Sequence, residues 1–163
     1  MCYTAHRSVG HARDGLHALG PSAHRTDERA SYAVVDGLPS MNRATFVVED
    51  IQVIRDELMP SMVELANARL VGFADNEADA VAWFHDHANA WDDAVIDLFY
   101  PHGTGLGVLA ALVGRSFDQR AIVLTNYCTE SMRARWSALG ADAIFDKSTQ
   151  LDEFFAYLRR TVR

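Results

Sequence analysis

From Ala44 onward the chain repeats one pattern, in which a short apolar run without polar alternation is followed by a helical periodicity. The five apolar runs are Thr45–Val48, Leu70–Phe73, Ala94–Ile96, Ala121–Leu124 and Ala143–Phe145. A strand with one solvated face alternates apolar and polar residues, so runs without alternation are typical of parallel strands buried on both faces. Right-handed crossover helices join such strands. The pattern therefore predicts an α/β fold with helices on both sides of one parallel sheet.

The helical patterns between the runs complete five strand–helix units. In the first unit, apolar residues recur at Ile51, Ile54, Leu58, Met62 and Leu65. Pro60 falls inside that pattern, and we expect it to kink or split the helix. Asn76, Thr129 and Thr149 stand where helix caps are expected. Five such units fit a flavodoxin-like (βα)5 three-layer sandwich with a five-stranded parallel sheet of order 2-1-3-4-5.

The repeating pattern lies within residues 41–163, which we predict to form one domain of the 163-residue chain. Residues 1–40 show no apolar periodicity until the short run Tyr32–Val35, and we predict that they are a disordered extension. Because Met41 stands directly before the first strand, a start placed upstream of the natural one is an alternative origin for this extension. The fifth unit is not followed by an output module, so a stand-alone protein is expected.

The charge distribution restricts the class of partner. The formal net charge is −7, and residues 1–40 contribute none of it because four Arg offset four acidic residues. An acidic domain argues against a nucleic-acid partner. The two cysteines, Cys2 and Cys128, show no metal or disulfide spacing, and no apolar run approaches the roughly 18 residues of a membrane span. We therefore expect a soluble cytoplasmic protein that binds no membrane.

Polar side chains follow four of the five apolar runs. Glu49 and Asp50 come after the first run, Asp97 after the third, Thr125 after the fourth and Lys147 after the fifth. The carboxyl ends of parallel strands share one edge of the sheet, and ligands bind in the crevice there where the strand order reverses. The sequence therefore predicts that these five residues converge.

These residue types suit phosphoryl transfer. An ionised Asp97 can accept a phosphoryl group as a mixed anhydride. Three acids would repel the incoming phosphate without a cation, and Glu49, Asp50 and Asp97 could supply the oxygen ligands that Mg²⁺ takes. Lys147 offers a compact positive charge for the phosphoryl oxygens. Thr125 offers a hydroxyl that could donate to a phosphate once it arrives.

Residues 44–163 resemble the receiver domain of the two-component response regulators. In that family the site consists of an acidic pair after strand one, Asp-x-x-x-Pro-x-x-x-Gly after strand three, Ser or Thr after strand four and Lys after strand five. The matching residues are Glu49 and Asp50; Asp97, Pro101 and Gly105; Thr125; and Lys147. The resemblance implies that Asp97, Thr125 and Lys147 form a phosphorylation site.

The resemblance also implies partners and a metal. Asp97 would take its phosphoryl group from a histidine kinase or a phosphotransfer protein. Mg²⁺ would be held by Asp50, Asp97 and the backbone carbonyl of Phe99, with Glu49 acting through water. Signalling would pass through the surface formed by Thr129–Val162 to an unidentified downstream protein, with a transient homodimer as a further option. On this interpretation the protein is a signalling phosphoacceptor and not an enzyme for an external substrate.

The sequence departs from the family pattern in the fifth strand and the loop that follows it. Ile144 stands where the family usually has a Tyr or Phe that moves with the Thr, and Ser148 replaces the usual Pro after Lys147. Phe99 and Tyr127 flank the path that hydrolytic water takes in this family. Both are bulky, so we expect a long-lived aspartyl phosphate.

Two other classes of protein remain open. A small phosphatase with an Asp nucleophile also uses Asp, Thr, Lys and Mg²⁺ on an α/β sheet. Its usual second Asp is absent, because Phe99 occupies that position and cannot be a general acid. The other class is a receiver-like interaction domain whose contacts are independent of phosphorylation.

Overall fold

The computed structural model describes residues 42–100, 103–126 and 128–160. The extension predicted for residues 1–40 lies outside the described residues, as do Pro101, His102 and Tyr127. Within the described ranges, no helix is both long and apolar enough to cross a bilayer.

The described residues form seven strands and five helices. The strands are β1 (Ala44–Val48), β2 (Arg69–Ala74), β3 (Asp93–Ile96), β4 (Phe99–Tyr100), β5 (Gly103–Thr104), β6 (Arg120–Thr125) and β7 (Ala143–Asp146). The helices are α1 (Gln52–Ala66), α2 (Glu77–Asp86), α3 (Gly105–Ala111), α4 (Glu130–Ala138) and α5 (Leu151–Leu158). Five strands form a parallel sheet in the order β2-β1-β3-β6-β7. Because β6 and β7 are its fourth and fifth strands, the predicted flavodoxin-like (βα)5 fold with order 2-1-3-4-5 is confirmed.

A short hairpin that the sequence did not predict lies between β3 and α3. In it β4 and β5 pair antiparallel, with Phe99 opposite Thr104 and Tyr100 opposite Gly103. Strands of two residues are too short to show a periodicity, so the sequence pattern gives no signal for this hairpin. The backbone N–H of Gly105 donates to the carbonyl of Leu98 at 3.3 Å, which returns the chain to the end of β3.

Successive side chains of a strand enter two different cores. Phe46 and Val48 belong to the core formed with α2, α3 and α4, whereas Val47 belongs to the core formed with α1 and α5. All three side chains are buried. Because both faces of the sheet are covered, the strands carry no polar alternation, and three layers result.

Two of the three predicted helix caps are confirmed. The side chains of Asn76 and Thr129 each accept a hydrogen bond from the backbone N–H of the third residue of their helix, at 2.9 and 3.3 Å. The cap at Thr149 was wrong, because α5 begins after Gln150, which makes no side-chain cap bond. Instead, the side-chain oxygen of Gln150 accepts from the backbone N–H of Asp146 at 3.1 Å. The Gln150 side chain is therefore bonded to the last strand and does not cap the helix.

Pro60 does not split the first helix, which runs from Gln52 to Ala66 without a break. The core contacts lie on both sides of the proline, since Leu58 and Met62 are buried against the sheet. Apolar burial of this kind stabilises by roughly 1.5–3 kcal/mol per large side chain, which offsets a proline penalty of about 3 kcal/mol. The tertiary contacts therefore override the local signal.

At the amino edge of the sheet, a buried carboxylate is bound by two arginines. Asp93 accepts from Arg120 through both carboxylate oxygens, at 2.7 and 2.8 Å, and from Nε of Arg43 at 3.0 Å. Other N–H groups of Arg120 donate to carbonyls near the end of α5, those of Tyr157, Leu158 and Arg160. This ion cluster joins β3, β6 and α5, and the sequence analysis did not identify it.

We expect Arg120→Ala to lower the free energy of unfolding by about 3 kcal/mol or more, because it leaves the buried Asp93 carboxylate with fewer partners. Chemical denaturation at neutral pH measures this change. Arg135→Ala, which removes an exposed arginine from α4, is the matched control and should change stability by less than about 0.5 kcal/mol. Equal losses in the two variants would contradict a special role for the cluster.

Candidate functional site

The backbone of the sheet brings the predicted site residues to one edge. The N–H of Asp97 donates to the carbonyl of Val48 at 2.9 Å, so the chain after β3 lies beside the chain after β1. The N–H of Lys147 donates to the carbonyl of Thr125 at 3.0 Å, which places the end of β7 beside the end of β6. These bonds continue the parallel ladder past the strand ends. The predicted convergence therefore follows from strand pairing.

Lys147 connects two acidic side chains at this edge. Its Nζ atom donates to Asp97 Oδ2 at 2.6 Å and also to Glu49 Oε2. The side chains of Lys147, Glu49 and Asp97 are 9%, 2% and 7% exposed. Charges this poorly hydrated are tolerated only when they are paired. The lysine therefore holds the carboxylate cluster together.

The site has more carboxylates than ammonium groups to balance them. Glu49, Asp50 and Asp97 each place an oxygen within 4.8 Å of the others. Asp50 Oδ1 is buried and has no hydrogen-bond partner in the described structure. A buried anionic oxygen without a donor is costly, and a bound cation would satisfy it. Three carboxylates fit the oxygen-rich coordination of Mg²⁺, so the residues present suit the predicted metal.

The pKa of Glu49 reflects its burial and the charges around it. Burial raises the pKa of Glu49 above its ordinary value, and this effect outweighs the hydrogen bond and positive charge of Lys147, which lower the pKa. The negative charge of Asp97 raises the pKa of Glu49 further. Burial, together with the charge of Asp97, therefore disfavours the ionised form of Glu49, and a divalent cation at this edge would favour it.

Thr125 and Phe99 lie beside the carboxylate cluster. Thr125 is fully buried at the end of β6. The backbone N–H of Phe99 donates to Asp97 Oδ1 at 3.1 Å, so the residue expected to offer a metal ligand contacts the Asp97 carboxylate directly. All the predicted site residues thus occupy one edge of the sheet. The ligand role of the Phe99 carbonyl stays a prediction.

An aromatic contact connects this edge to α4. The ring of Phe99 meets the ring of Trp136 edge-on, with centroids 6.1 Å apart. Trp136 is buried on α4, whereas Phe99 is partly exposed. Ile144, which stands where the receiver family usually has an aromatic residue, is buried in the core, and its carbonyl accepts from Arg133 at 2.6 Å. The described residues thus offer a link to α4 that does not use position 144.

Two further residues shape the site. A Cβ atom on Gly105 would lie 2.4 Å from the carbonyl oxygen of Asp97, so only glycine allows this close approach. The motif position of Gly105 thus has a physical reason that the sequence does not supply. The second residue, Arg55, was not predicted from the sequence, and it donates to the carbonyls of Glu49 and Asp50 at 2.7 and 2.9 Å. An arginine one turn into the helix after the acidic pair was the available signal.

Comparison with known proteins identifies the fold. The sequence matches no protein-family model and no curated protein significantly. Solved structures do match. The signal receiver domain of NarL from Mycobacterium tuberculosis has a TM-score of 0.63 at 20% identity, covering 72% of this chain and 93% of that one. A LuxR-family DNA-binding response regulator from Staphylococcus aureus has a TM-score of 0.62 at 17% identity, covering 72% and 99%.

A third similar structure contains ligands. It is the CheX–CheY–BeF3–Mg complex from Borrelia burgdorferi, with a TM-score of 0.59 at 16% identity over 71% of this chain and 88% of that one. The fold of this chain is that of the response-regulator receiver domains, as the sequence predicted. At identities this low, the structural similarity establishes the fold alone, and the chemistry of the site depends on the residues described above.

The raised pKa of Glu49 makes stability depend on pH. The folded state binds the Glu49 proton more tightly than the unfolded chain does, so the contribution of this group is full below the ordinary carboxyl pKa and is lost as pH rises through the raised pKa. We expect Glu49→Gln, which stays neutral, to unfold at higher denaturant than the parent at about pH 8 without divalent cations, and equally at about pH 4.

Glu57→Gln provides the control, because it removes the same charge from an exposed position on α1. That variant should follow the parent at both pH values. A parent protein more stable than Glu49→Gln at the higher pH would contradict the electrostatic account of the site.

Proposed function

We propose that the protein is a response-regulator receiver that accepts a phosphoryl group on Asp97 from a histidine kinase or phosphotransfer protein and signals through protein contacts. One observation carries the proposal: a buried Asp97 is held by Lys147 within a cluster of three carboxylates, at the carboxyl edge of a receiver-type sheet. This arrangement combines a nucleophile, a cation site and a mobile positive charge.

The proposed reaction is a direct transfer between phosphohistidine and aspartate. A carboxylate oxygen of Asp97 forms the new O–P bond, and the P–N bond of the phosphohistidine breaks, returning its electron pair to the imidazole nitrogen. The Phe99 N–H and the Lys147 ammonium orient the two oxygens of Asp97 before the reaction. Orientation of this kind removes part of the entropic barrier.

Other residues would stabilise the charge of the phosphoryl group. Asp50, Asp97 and the Phe99 carbonyl would hold Mg²⁺ directly, with Glu49 acting through water, and the ion would supply positive charge against the phosphoryl oxygens. Lys147 can exchange its bond to Asp97 for one to a phosphoryl oxygen with little loss of pairing. Thr125 can donate its hydroxyl to the same group.

The modified carboxylate would change the surface that partners contact. Phe99 connects the Asp97 carboxylate to Trp136, so a displaced Phe99 would alter the packing of α4. We propose that the surface Thr129–Val162 binds a downstream protein or a second copy transiently, and that the bulk of Phe99 slows hydrolysis of the phosphate. The protein would turn over no external substrate.

Incubation with Mg²⁺ and acetyl phosphate tests the proposal. We expect intact-mass measurement to show one added phosphoryl group per chain and Asp97→Asn to abolish the labelling, because the carboxamide cannot form the anhydride. Asp75→Asn is the control, since Asp75 is an exposed aspartate directly after β2 at the same edge. Multiple turnover of the donor would instead indicate a phosphatase, and no labelling would indicate a phosphorylation-independent interaction domain.

Divalent cations should stabilise the protein through the same carboxylates. We expect Mg²⁺ at tenfold its Kd to raise the free energy of unfolding by about 1.4 kcal/mol, because only the folded state assembles the site. Asp50→Asn should remove most of this increase, while Glu57→Gln should retain it. Chemical denaturation with and without Mg²⁺ measures the difference. An equal increase in both variants would place the bound ion elsewhere.

A further inference from the structure

Arg55 donates hydrogen bonds to three successive backbone carbonyls at the start of α1. Its Nη1 atom contacts the carbonyl oxygens of Glu49 at 2.7 Å and Asp50 at 2.9 Å. Its backbone N–H contacts the carbonyl of Ile51 at 3.0 Å. Arg55 thus binds the carbonyls of Glu49, Asp50 and Ile51, the three residues between β1 and α1.

These bonds fix the direction of the Asp50 side chain. The carbonyls of Glu49 and Asp50 belong to the two peptide planes that flank the Asp50 Cα atom. Peptide groups are planar, so orienting both planes determines the two backbone dihedral angles of Asp50 and hence the direction of its Cβ. The Oδ1 atom of Asp50 is buried without a hydrogen-bond partner in the described structure. Because this oxygen has no hydrogen bond to hold it, the Asp50 side chain is oriented through the contacts of Arg55 with the backbone.

A second contact holds the guanidinium in place. The Cζ atom of Arg55 lies 4.8 Å from the ring centroid of Phe73 on β2, which is a cation–π distance. A cation in the first turns of a helix is disfavoured by the helix dipole. In addition, Ile51, the residue before the helix, provides no side-chain cap. The guanidinium of Arg55 is therefore held by the two carbonyls and the Phe73 ring and gains nothing from the helix dipole.

We propose that Arg55 is a positioning residue for the divalent-cation site: it orients Asp50 toward the ion without touching the ion. This inference rests on the proposed function, because it concerns the same carboxylate cluster. Residues that orient metal ligands typically contribute 10–100-fold to metal affinity. Simple electrostatics predicts the opposite change in Mg²⁺ affinity when Arg55 is removed, because the loss of a nearby positive charge should tighten the binding of a dication.

The opposite signs allow a direct test by calorimetric titration with MgCl2. We expect Arg55→Ala to weaken Mg²⁺ binding about tenfold, while acetyl phosphate labelling of Asp97 at saturating Mg²⁺ stays within about twofold of the parent. Arg55→Lys should lose about threefold, because an ammonium keeps a donor but not the planar fork. Arg69→Ala removes the same charge from an exposed position and should bind Mg²⁺ as the parent does.

Unchanged or tighter Mg²⁺ binding by Arg55→Ala would overturn the inference. If that variant fails to fold, Arg55→Lys together with Phe73→Leu decides the question, because the Phe73 side chain is exposed and the substitution removes the ring that Arg55 contacts. Parent-like affinity in both of these variants would also overturn the inference. Intermediate weakening in both would support it.

Amide hydrogen exchange separates this inference from the proposed function. We expect the amides of Asp50 and Ile51 to exchange about tenfold faster in Arg55→Ala without Mg²⁺, because the carbonyls of their peptide groups lose a donor. A parent protein that binds Mg²⁺ but does not label at Asp97 would overturn the proposed function and leave this measurement to decide the role of Arg55, whereas a parent that binds no Mg²⁺ would overturn both. Unchanged exchange in Arg55→Ala would overturn that role alone.

Discussion

A parallel sheet buried on both faces accepts charged side chains at its two edges, and this protein fills those edges in opposite ways. At the amino edge, the Asp93 carboxylate is bound by Arg120 and Arg43, so the buried charge is compensated. At the carboxyl edge, three carboxylates lie together, and the ammonium of Lys147 binds only two of them, Glu49 and Asp97. Buried charge without full compensation is destabilising. The second edge therefore carries a cost that binding of a cation would remove.

The geometry of the carboxyl edge depends on backbone contacts more than on the acidic side chains themselves. The ladder bond between Asp97 and Val48 sets the separation of β1 and β3. Gly105 leaves room for the Asp97 carbonyl, and Arg55 orients the peptide groups around Asp50. Sites that bind small hard cations need this rigidity, because Mg²⁺ demands near-ideal ligand geometry. The acidic residues supply the carboxylate oxygens, and the neighbouring residues hold those oxygens in a fixed geometry.

The sequence predicted five strand–helix units and the strand order, because burial of the sheet on both faces makes every strand an apolar run. It also predicted the convergence of Asp97 and Lys147, because parallel topology places all carboxyl ends at one edge. It failed where local and tertiary preferences compete. Pro60 suggested a kink or a split, and the helix is not split, with core contacts on both sides of the proline. In place of the cap expected at Thr149, the side chain of Gln150 accepts a hydrogen bond from Asp146 of the last strand.

Apolar spacing and strand-end polarity by themselves determined the flavodoxin-like parallel α/β fold and the chemical types present at the site. Tertiary structure alone decided which charges are balanced, since pairing between Asp93 and Arg120 or between Lys147 and Glu49 joins residues far apart in the chain. It also decided that Phe99 meets Trp136 and that Arg55 reaches back over the acidic pair. The physical reason is that periodicity reports the environment of each residue separately, whereas a contact between two side chains exists only after the elements carrying them have packed.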